Sequence, residues 1–473
     1  MSLQILPCWT TVGFTGHRRL DQSEATAAAI RTVVGELESA YRPLAVVSSA
    51  ASGADTLFLE EVARRGLPYF LCLPFSKDRF RQDFSDDDWN LAAGHFDQAL
   101  SVECACDDES AGEAYLDCGF RIVDRADVLL AIWNGQPAAG KGGTADIVEY
   151  ARALGKPVVW IEPTGGAIHR ERLDRLPAAT SPQSVPTGSQ RELVEEQFAA
   201  YDQAARRYAP AARWLILAVI CLHLLASAAG TARHLVGAAT AAAGPLSAFK
   251  LGALVISLFL ILRQRSVRHE WMHARVAAEI CRSFLSVWAL RRQGARFPFF
   301  PAEEHKRLIG SLTMAWYLDK GAARPLEDAR NEYATARVRD QFDYFARRYQ
   351  FDGRRARALK AASTSITIVA IVLGVVNLVL PPSAAVGWAP IVLSLLATLL
   401  PLLPPALLSA VLTYDLARRA DRFRDVSAAL ERAKERLKLV QTWPGLWREV
   451  VEIESLLLGE VEQWHSVARY SGK

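Results

Sequence analysis

The sequence predicts an α/β doubly wound parallel-sheet domain at its N-terminal end, joined to an α-helical transmembrane region with four membrane-spanning helices and long cytoplasmic helices. Three observations predict it. Over residues 1–165 short apolar runs alternate with amphipathic stretches, the pattern of strands covered on both faces by helices. Beyond residue 210 apolar residues collect into long blocks, in a 473-residue chain that is 51% hydrophobic and 22% charged, and such blocks need lipid as solvent. Charge divides at the same place. Residues 1–165 carry 14 Lys and Arg against 24 Asp and Glu, a net of −10, leaving 41 against 27, a net of +14, for the rest.

These bounds exclude some functions. A chain this long exceeds one hydrophobic core, so at least two folding units are expected. An acidic N-terminal domain cannot neutralise the phosphates of a nucleic acid duplex, and none is expected as a partner. The basic remainder suits an anionic membrane surface. Seven scattered cysteines, with Cys104 and Cys106 the only close pair, point to a reduced cytoplasmic compartment and no metal site. Met1 to Thr11 lacks both a basic segment and a long apolar run, so no cleavable signal is expected.

In the first domain, strands are read at Thr10–Phe14, Leu44–Ser48, Tyr69–Leu73, Val128–Trp133 and Pro157–Ile161. Helices are read at Ser23–Tyr41, Ala54–Arg65, before Val128, and at Thr144–Leu154. Residues 166–192, with Pro177, Pro182 and Pro186, read as a linker.

Trp214 to Ala232 offers 19 uncharged residues between Arg213 and Arg233, close to the ~20 that a spanning helix needs. A second span over 246–262 has only 12 apolar residues, Leu251 to Leu262, after Lys250, and forms if that lysine snorkels outward. Ala361 to Tyr414 runs for 54 residues without a charge. As one helix it would reach roughly 80 Å, far more than a hydrocarbon core of about 30 Å, so it must fold back. Pro381, Pro382, Gly387 and Pro390 mark the turn, separating spans at 363–380 and 389–412. The resulting order is an amphipathic helix and first hairpin over 193–265, a cytoplasmic helical region over 266–360, a second hairpin over 361–414, and C-terminal cytoplasmic helices over 415–473.

Arginines and lysines flank the spans on one side: Arg206, Arg207 and Arg213; Arg263, Arg265 and Arg268; Arg354, Arg355, Arg357 and Lys360; Arg418, Arg419, Arg422 and Arg424. That bias places both termini and residues 264–360 in the cytoplasm of a multi-pass protein.

Three loops fall where strands end and helices begin, the edge at which open α/β sheets bind ligands. Loop one, Gly13-Phe14-Thr15-Gly16-His17-Arg18-Arg19, offers backbone amides together with the donors of His17 and Arg18. Loop two, Ser48-Ser49-Ala50-Ala51-Ser52-Gly53-Ala54-Asp55, opens a helix with small residues, and its Asp55 is placed to accept from a ribose hydroxyl. Loop three, Gly140-Lys141-Gly142-Gly143-Thr144, opens a helix carrying Asp146 and Glu149, and its free amides form a phosphate site. Each loop alone is also ordinary turn chemistry, with Thr144 then a helix cap. Arg18, Lys141 and the loop amides are the candidate phosphate contacts.

The Thr-Gly-His-Arg turn at Thr15–Arg18, the Ser-Gly-Ala-Asp start at Ser52–Asp55 and the Gly-Gly-Thr start at Gly142–Thr144 resemble the SLOG family, as does Leu73–Phe80 with Asp83-Phe84. SLOG domains are Rossmann-like, related to the lonely-guy phosphoribohydrolases and to DprA, and generally bind nucleotides or nucleotide-derived messengers. Trp271, Arg275, Glu279 and Arg282, with Arg337, Gln341, Tyr344 and Phe345, resemble the SLATT family of membrane effectors; by spacing alone the same residues describe a packed helix bundle. The joined resemblance implies a bacterial inner-membrane effector of an antiviral or conflict system. It would sense a nucleotide-type signal, made by a possible separate enzyme, and would oligomerise or rearrange to permeabilise the bilayer. No cofactor is expected beyond that ligand. The alternative is a membrane-anchored nucleotide N-glycosidase. The hydrolase motif of the lonely-guy family places its catalytic Glu three residues after the Thr, where this chain has Ile147, so Asp146 and Glu149 are weak catalytic candidates.

Within the spans, His223 and Asn377 are polar residues that either join helices or line a pore. Pro401, Pro404 and Pro405 interrupt span four as a plain kink or as a hinge.

Overall fold

A computed structural model describes residues 5–20, 22–41, 43–106, 110–138, 140–176, 188–236, 241–290, 305–319, 324–379, 389–413 and 415–470. The chain divides into two compact units: Met1–Gln197 with Arg291–Arg296 and Pro301–Ala322, and Phe198–Leu290 with Phe297–Phe300 and Ala323–Lys473.

The first unit runs β1 (Thr10–Gly16), α1 (Ser23–Tyr41), β2 (Leu44–Ser48), α2 (Ala54–Arg64), β3 (Tyr69–Leu73), α3 (Lys77–Phe80), α4 (Asp86–Phe96), β4 (Ser101–Cys104), α5 (Ala111–Arg125), β5 (Val128–Ile132), α6 (Thr144–Ala153), β6 (Val158–Ile161) and β7 (Ile168–Glu171). The seven strands lie in the order β4-β3-β2-β1-β5-β6-β7, parallel except for β7, which is antiparallel to β6. β2 and β5 are buried at every residue, as strands covered on both faces must be. Strand alternation sends Val128, Leu130 and Ile132 into one core with Ile30, Phe58 and Leu59 of α1 and α2. Leu129 and Ala131 enter the opposite core with Val123, Ile147 and Val148 of α5 and α6.

The five strands read from the sequence all form. β4 and β7 add to them, and each is only four residues long at a sheet edge, too short to show a period. β7 lies inside the stretch expected as linker. Gly165 and Gly166, both at positive φ, let the chain reverse after β6. The Glu162 amide then donates to the Ala167 carbonyl at 2.9 Å, and Trp160 stacks on His169 at 3.8 Å. Turn-rich composition thus marks a hairpin here. Residues 177–187 of the expected linker lie outside the described residues.

A helix from the expected cytoplasmic region, α9 (Lys306–Leu318), also belongs to this unit. Ser311 Oγ donates to the Pro7 carbonyl at 2.7 Å, and Tyr317 meets Phe70 of β3 edge-on at 5.0 Å. Its apolar face needs a partner, and sequence separation hides which one it takes.

The second unit holds α7 (Gln190–Val236) from Phe198 onward, α8 (Ala243–Val287), α10 (Leu326–Tyr333), a π-helical turn (Ala334–Arg339), α11 (Asp340–Val379), α12 (Ala389–Leu399), α13 (Leu403–Thr413), α14 (Leu416–Leu439) and α15 (Trp443–Tyr470). Among the described residues three helices are long and apolar enough to cross a membrane, within Gln190–His234, Ala243–Val287 and Leu326–Val376. The spans expected at 214–232 and 246–262 fall in them, as do residues 363–376 of the third, each continuous with a charged extension. Trp214, Leu251, Phe259, Ile371 and Leu378 are each more than half exposed, a surface suited to lipid.

The fourth expected span, 389–412, is not one helix. α12 and α13 are joined by a 3₁₀ turn, Leu400–Leu402, because Pro401, Pro404 and Pro405 each lack an amide hydrogen. The turn residues 381–388 lie outside the described residues, as does the side chain of Asn377. His223 Nδ1 lies 2.9 Å from the Val219 carbonyl and 3.2 Å from Ser257 Oγ of α8, so it joins the two helices of the first hairpin.

Outside those apolar segments, α10, α11, α14 and α15 share a core of Tyr333, Val338, Phe345, Leu430, Leu446 and Ile453. A charged cluster is buried within the same unit. Arg337 grips Glu454 with Nε at 2.9 Å and Nη2 at 2.7 Å, and its Nη1 donates to Glu279 at 3.2 Å. Tyr333 and Ser283 also donate to Glu454.

Candidate functional site

β1 has β2 on one side and β5 on the other, so the chain leaves the sheet in opposite directions from its centre. A crevice therefore opens at the carboxyl ends of β1 and β5. A cavity of about 530 Å³ occupies it. Its wall includes Thr15, Gly16, His17 and Arg18 of loop one, Ser49, Ala51 and Asp55 of loop two, and Gly140, Lys141, Gly142, Gly143 and Thr144 of loop three. The three loops thus meet on one cavity.

Loop one is pinned from both sides. The His17 amide donates to the Ile132 carbonyl at 3.2 Å, and the His17 carbonyl accepts from the Ala54 amide at 3.1 Å. The Asn134 amide donates to His17 Nε2 at 3.2 Å. Gly53 is at φ +89°, and a Cβ there would stand 2.2 Å from the Arg18 carbonyl oxygen. Gly53 supports loop one from behind, and neither it nor Ser52 is among the residues on the cavity wall.

Loop three presents the start of α6. Its N-cap is Gly143 with no side-chain cap, so Thr144 is the first helical residue and does not cap the helix. The first-turn amides of α6 have no intrahelical acceptor, and Thr144 and Ala145 both line the cavity. Asp146 turns back to accept from the Gly142 amide at 2.8 Å, bracing the loop, and Glu149 is exposed; neither lines the cavity. Ile147 does.

The two cations are already oriented. Arg18 lies over the Tyr115 ring at 4.5 Å and 3.9 Å from Asp83, while Lys141 donates to Glu113 at 2.9 Å. All three partners are carboxylates or an aromatic face that an arriving phosphate can share or displace. Tyr115 donates to Asp83 at 2.5 Å, and burial together with that bond pushes its hydroxyl pKa far up, so it stays protonated. Tyr115 and Asn134 carry no sequence signal for this role; Ser49 stood in loop two and Asp83 in a stretch already singled out.

Asp55 is buried, and its Oδ1 accepts from Ser48 at 2.9 Å and Ser49 at 2.7 Å. Desolvation raises its pKa from 3.8 to about 6, against the lowering effect of the two serines and of Arg18. The folded domain therefore holds a proton that the unfolded chain releases between about pH 4 and 6. The associated stability is complete below the unfolded value and lost as pH rises through the folded one, about 3 kcal/mol in all. Asp55→Asn cannot titrate. Measured by thermal melting of the full chain, wild type is expected to lose that stability relative to Asp55→Asn between pH 4 and 7; parallel pH profiles would refute the burial argument.

No protein-family model matches the chain, and no curated protein is significantly similar to it.

Proposed function

We propose that the chain is a bacterial inner-membrane effector whose N-terminal domain senses a nucleotide-type ligand. One observation carries this reading: three loops far apart in sequence converge on one cavity that joins uncapped helix amides to Arg18 and Lys141. That combination recognises phosphate, and a cavity of about 530 Å³ is within the range of small-molecule sites. The resemblance of the loops to SLOG domains and the Rossmann-like strand order fit the same ligand class. The apolar helices supply the output. Four spans, with α12 and α13 together as the fourth, and cytoplasmic termini follow from the flanking arginines. Ligand occupancy favours one oligomeric arrangement of chains, and the SLATT-like hairpins then rearrange to permeabilise the bilayer. The ligand acts through its differential affinity for the two states, and a separate enzyme supplies it.

Calorimetric titration of the full chain with NAD-derived and cyclic nucleotides tests the sensor. One class is expected to bind, with Arg18→Ala and Lys141→Ala each weakening it about tenfold or more, as loss of a charge-assisted hydrogen bond does. Dye entry into cells should then require that nucleotide. If no nucleotide binds, the sensor reading fails.

A second reading, hydrolysis of the nucleotide's N-glycosidic bond, has one observation in its favour: Asp55 lines the cavity with a pKa near the value of a working acid or base. It predicts free base in the same titration and none from Asp55→Asn.

A further inference from the structure

The helical unit contains a cavity of about 460 Å³, walled by the cytoplasmic parts of α7, α8, α11, α14 and α15. Six arginines and four carboxyl groups face it. Several of these charges are already matched: Arg206 pairs with Asp202 at 2.8 Å, Arg282 with Glu279 at 2.6 Å, and Arg419 with Asp352 at 2.9 Å. Glu279 is further engaged by Arg337 at 3.2 Å.

Three arginines remain. Arg275, half-buried in the wall, has no hydrogen-bond or ion-pair partner among the described residues, and neither has the exposed Arg347. Arg348 reaches only to 3.9 Å from Asp352, and its buried Nε has no acceptor. Facing them are Asp340, exposed and in contact with Gln341, and Glu460, whose carboxyl pKa burial raises against the lowering effect of Arg422, Arg275 and Arg419. Three guanidinium groups against two carboxyl groups leave the unmatched charge positive, in a space walled also by Trp271 and Tyr344. Unfilled guanidinium donors at such a depth call for an acceptor anion.

We propose that this cavity is a second anion site, separate from that of the N-terminal domain, and that it takes a phosphate ester held by Arg275 and Arg348. Two sources carry that chemistry, an anionic lipid head group and a free phosphate compound. The lipid source rests on the membrane placement proposed above. Trp271 lies nine residues past Leu262, about 13 Å along α8, and Arg419 follows the end of α13 at Thr413 by six residues.

The test uses the full chain in uncharged detergent, carrying Arg18→Ala and Lys141→Ala so that the N-terminal site is silent. Native mass spectrometry counts retained dihexanoyl-phosphatidylglycerol or inorganic pyrophosphate, with dihexanoyl-phosphatidylcholine as the neutral control. One equivalent is expected, weakened about tenfold by Arg275→Gln or Arg348→Gln and unchanged by Arg354→Gln, an exposed arginine outside the cavity. Glu460→Gln removes an opposing carboxylate and should tighten binding severalfold, a gain that misfolding does not produce. Retention of phosphatidylglycerol alone assigns the lipid head group; retention of pyrophosphate assigns a free phosphate compound. Retention of neither above the neutral control overturns the proposal. So does an equal loss in Arg354→Gln, or a Glu460→Gln variant that binds no more tightly.

Discussion

Arg337→Met is expected to destabilise the helical unit by about 3–5 kcal/mol, the cost of leaving a buried charge without its partner. Glu454 is fully buried, and Arg337 supplies both lobes of its bidentate pairing; Tyr333 and Ser283 donate to the same carboxylate but bring no charge. Burial alone would lower the Arg337 pKa, but Glu454 and Glu279 together hold it far above its usual value. The arginine sits on a π-helical turn, a wider register that often marks a functional constraint. The double variant Arg337→Met/Glu454→Leu should recover most of the loss, because it removes both charges and fills a similar volume. Thermal melting of the full chain in detergent measures both. A single variant that melts with the wild type would show that water reaches Glu454.

Gly53→Ala is expected to cost about 2–4 kcal/mol and to abolish ligand binding at the N-terminal cavity. Two penalties combine. The new Cβ would stand 2.2 Å from the carbonyl oxygen of Arg18, and φ is +89°, where side chains are disfavoured. Relief requires loop one to move away from α2, breaking the bond from the Ala54 amide to the His17 carbonyl and taking Arg18 off Tyr115. Gly66→Ala separates the two penalties, since Gly66 also has positive φ, +66°, but nothing lies within 4 Å of the added carbon. It should cost only about 1 kcal/mol and leave binding intact. Equal behaviour of the two variants, in melting and in nucleotide titration, would contradict the packing argument.

Much of this was legible in one dimension. Val46, Val47, Leu129 and Leu130 lie in runs apolar at every position, which only a strand covered on both faces satisfies, so the parallel sheet followed from composition. The uncharged stretch from Ala361 to Tyr414 likewise demanded a solvent other than water. The three loops were visible because glycine and small residues recur at three strand ends on one sheet edge, although each alone is also ordinary turn chemistry.

Local patterns failed where pairing is short or distant. The four residues of β7 have too little period to be seen, and the Gly-Gly turn before them looks the same in a linker and in a hairpin. Lys306–Leu318 is a plain amphipathic helix whose partner, Pro7 and the strand carrying Phe70, lies more than 200 residues away. The roles of the two acids were not separable by spacing either. Asp146 and Glu149 follow Thr144 on the same helix, but only the fold turns the first onto the Gly142 amide and the second outward, and buries Asp55 beneath two serine hydroxyls.

By itself the sequence determined the sheet, the apolar helices and the edge where the three loops gather, because each is written in periodicity or composition over a continuous stretch. Only the tertiary structure decided which charges are matched. Arg275 and Arg337 look alike on amphipathic helices, yet one is clamped between Glu454 and Glu279 and the other faces a cavity. Ion pairing depends on distances between elements, and those arise only when the helices pack.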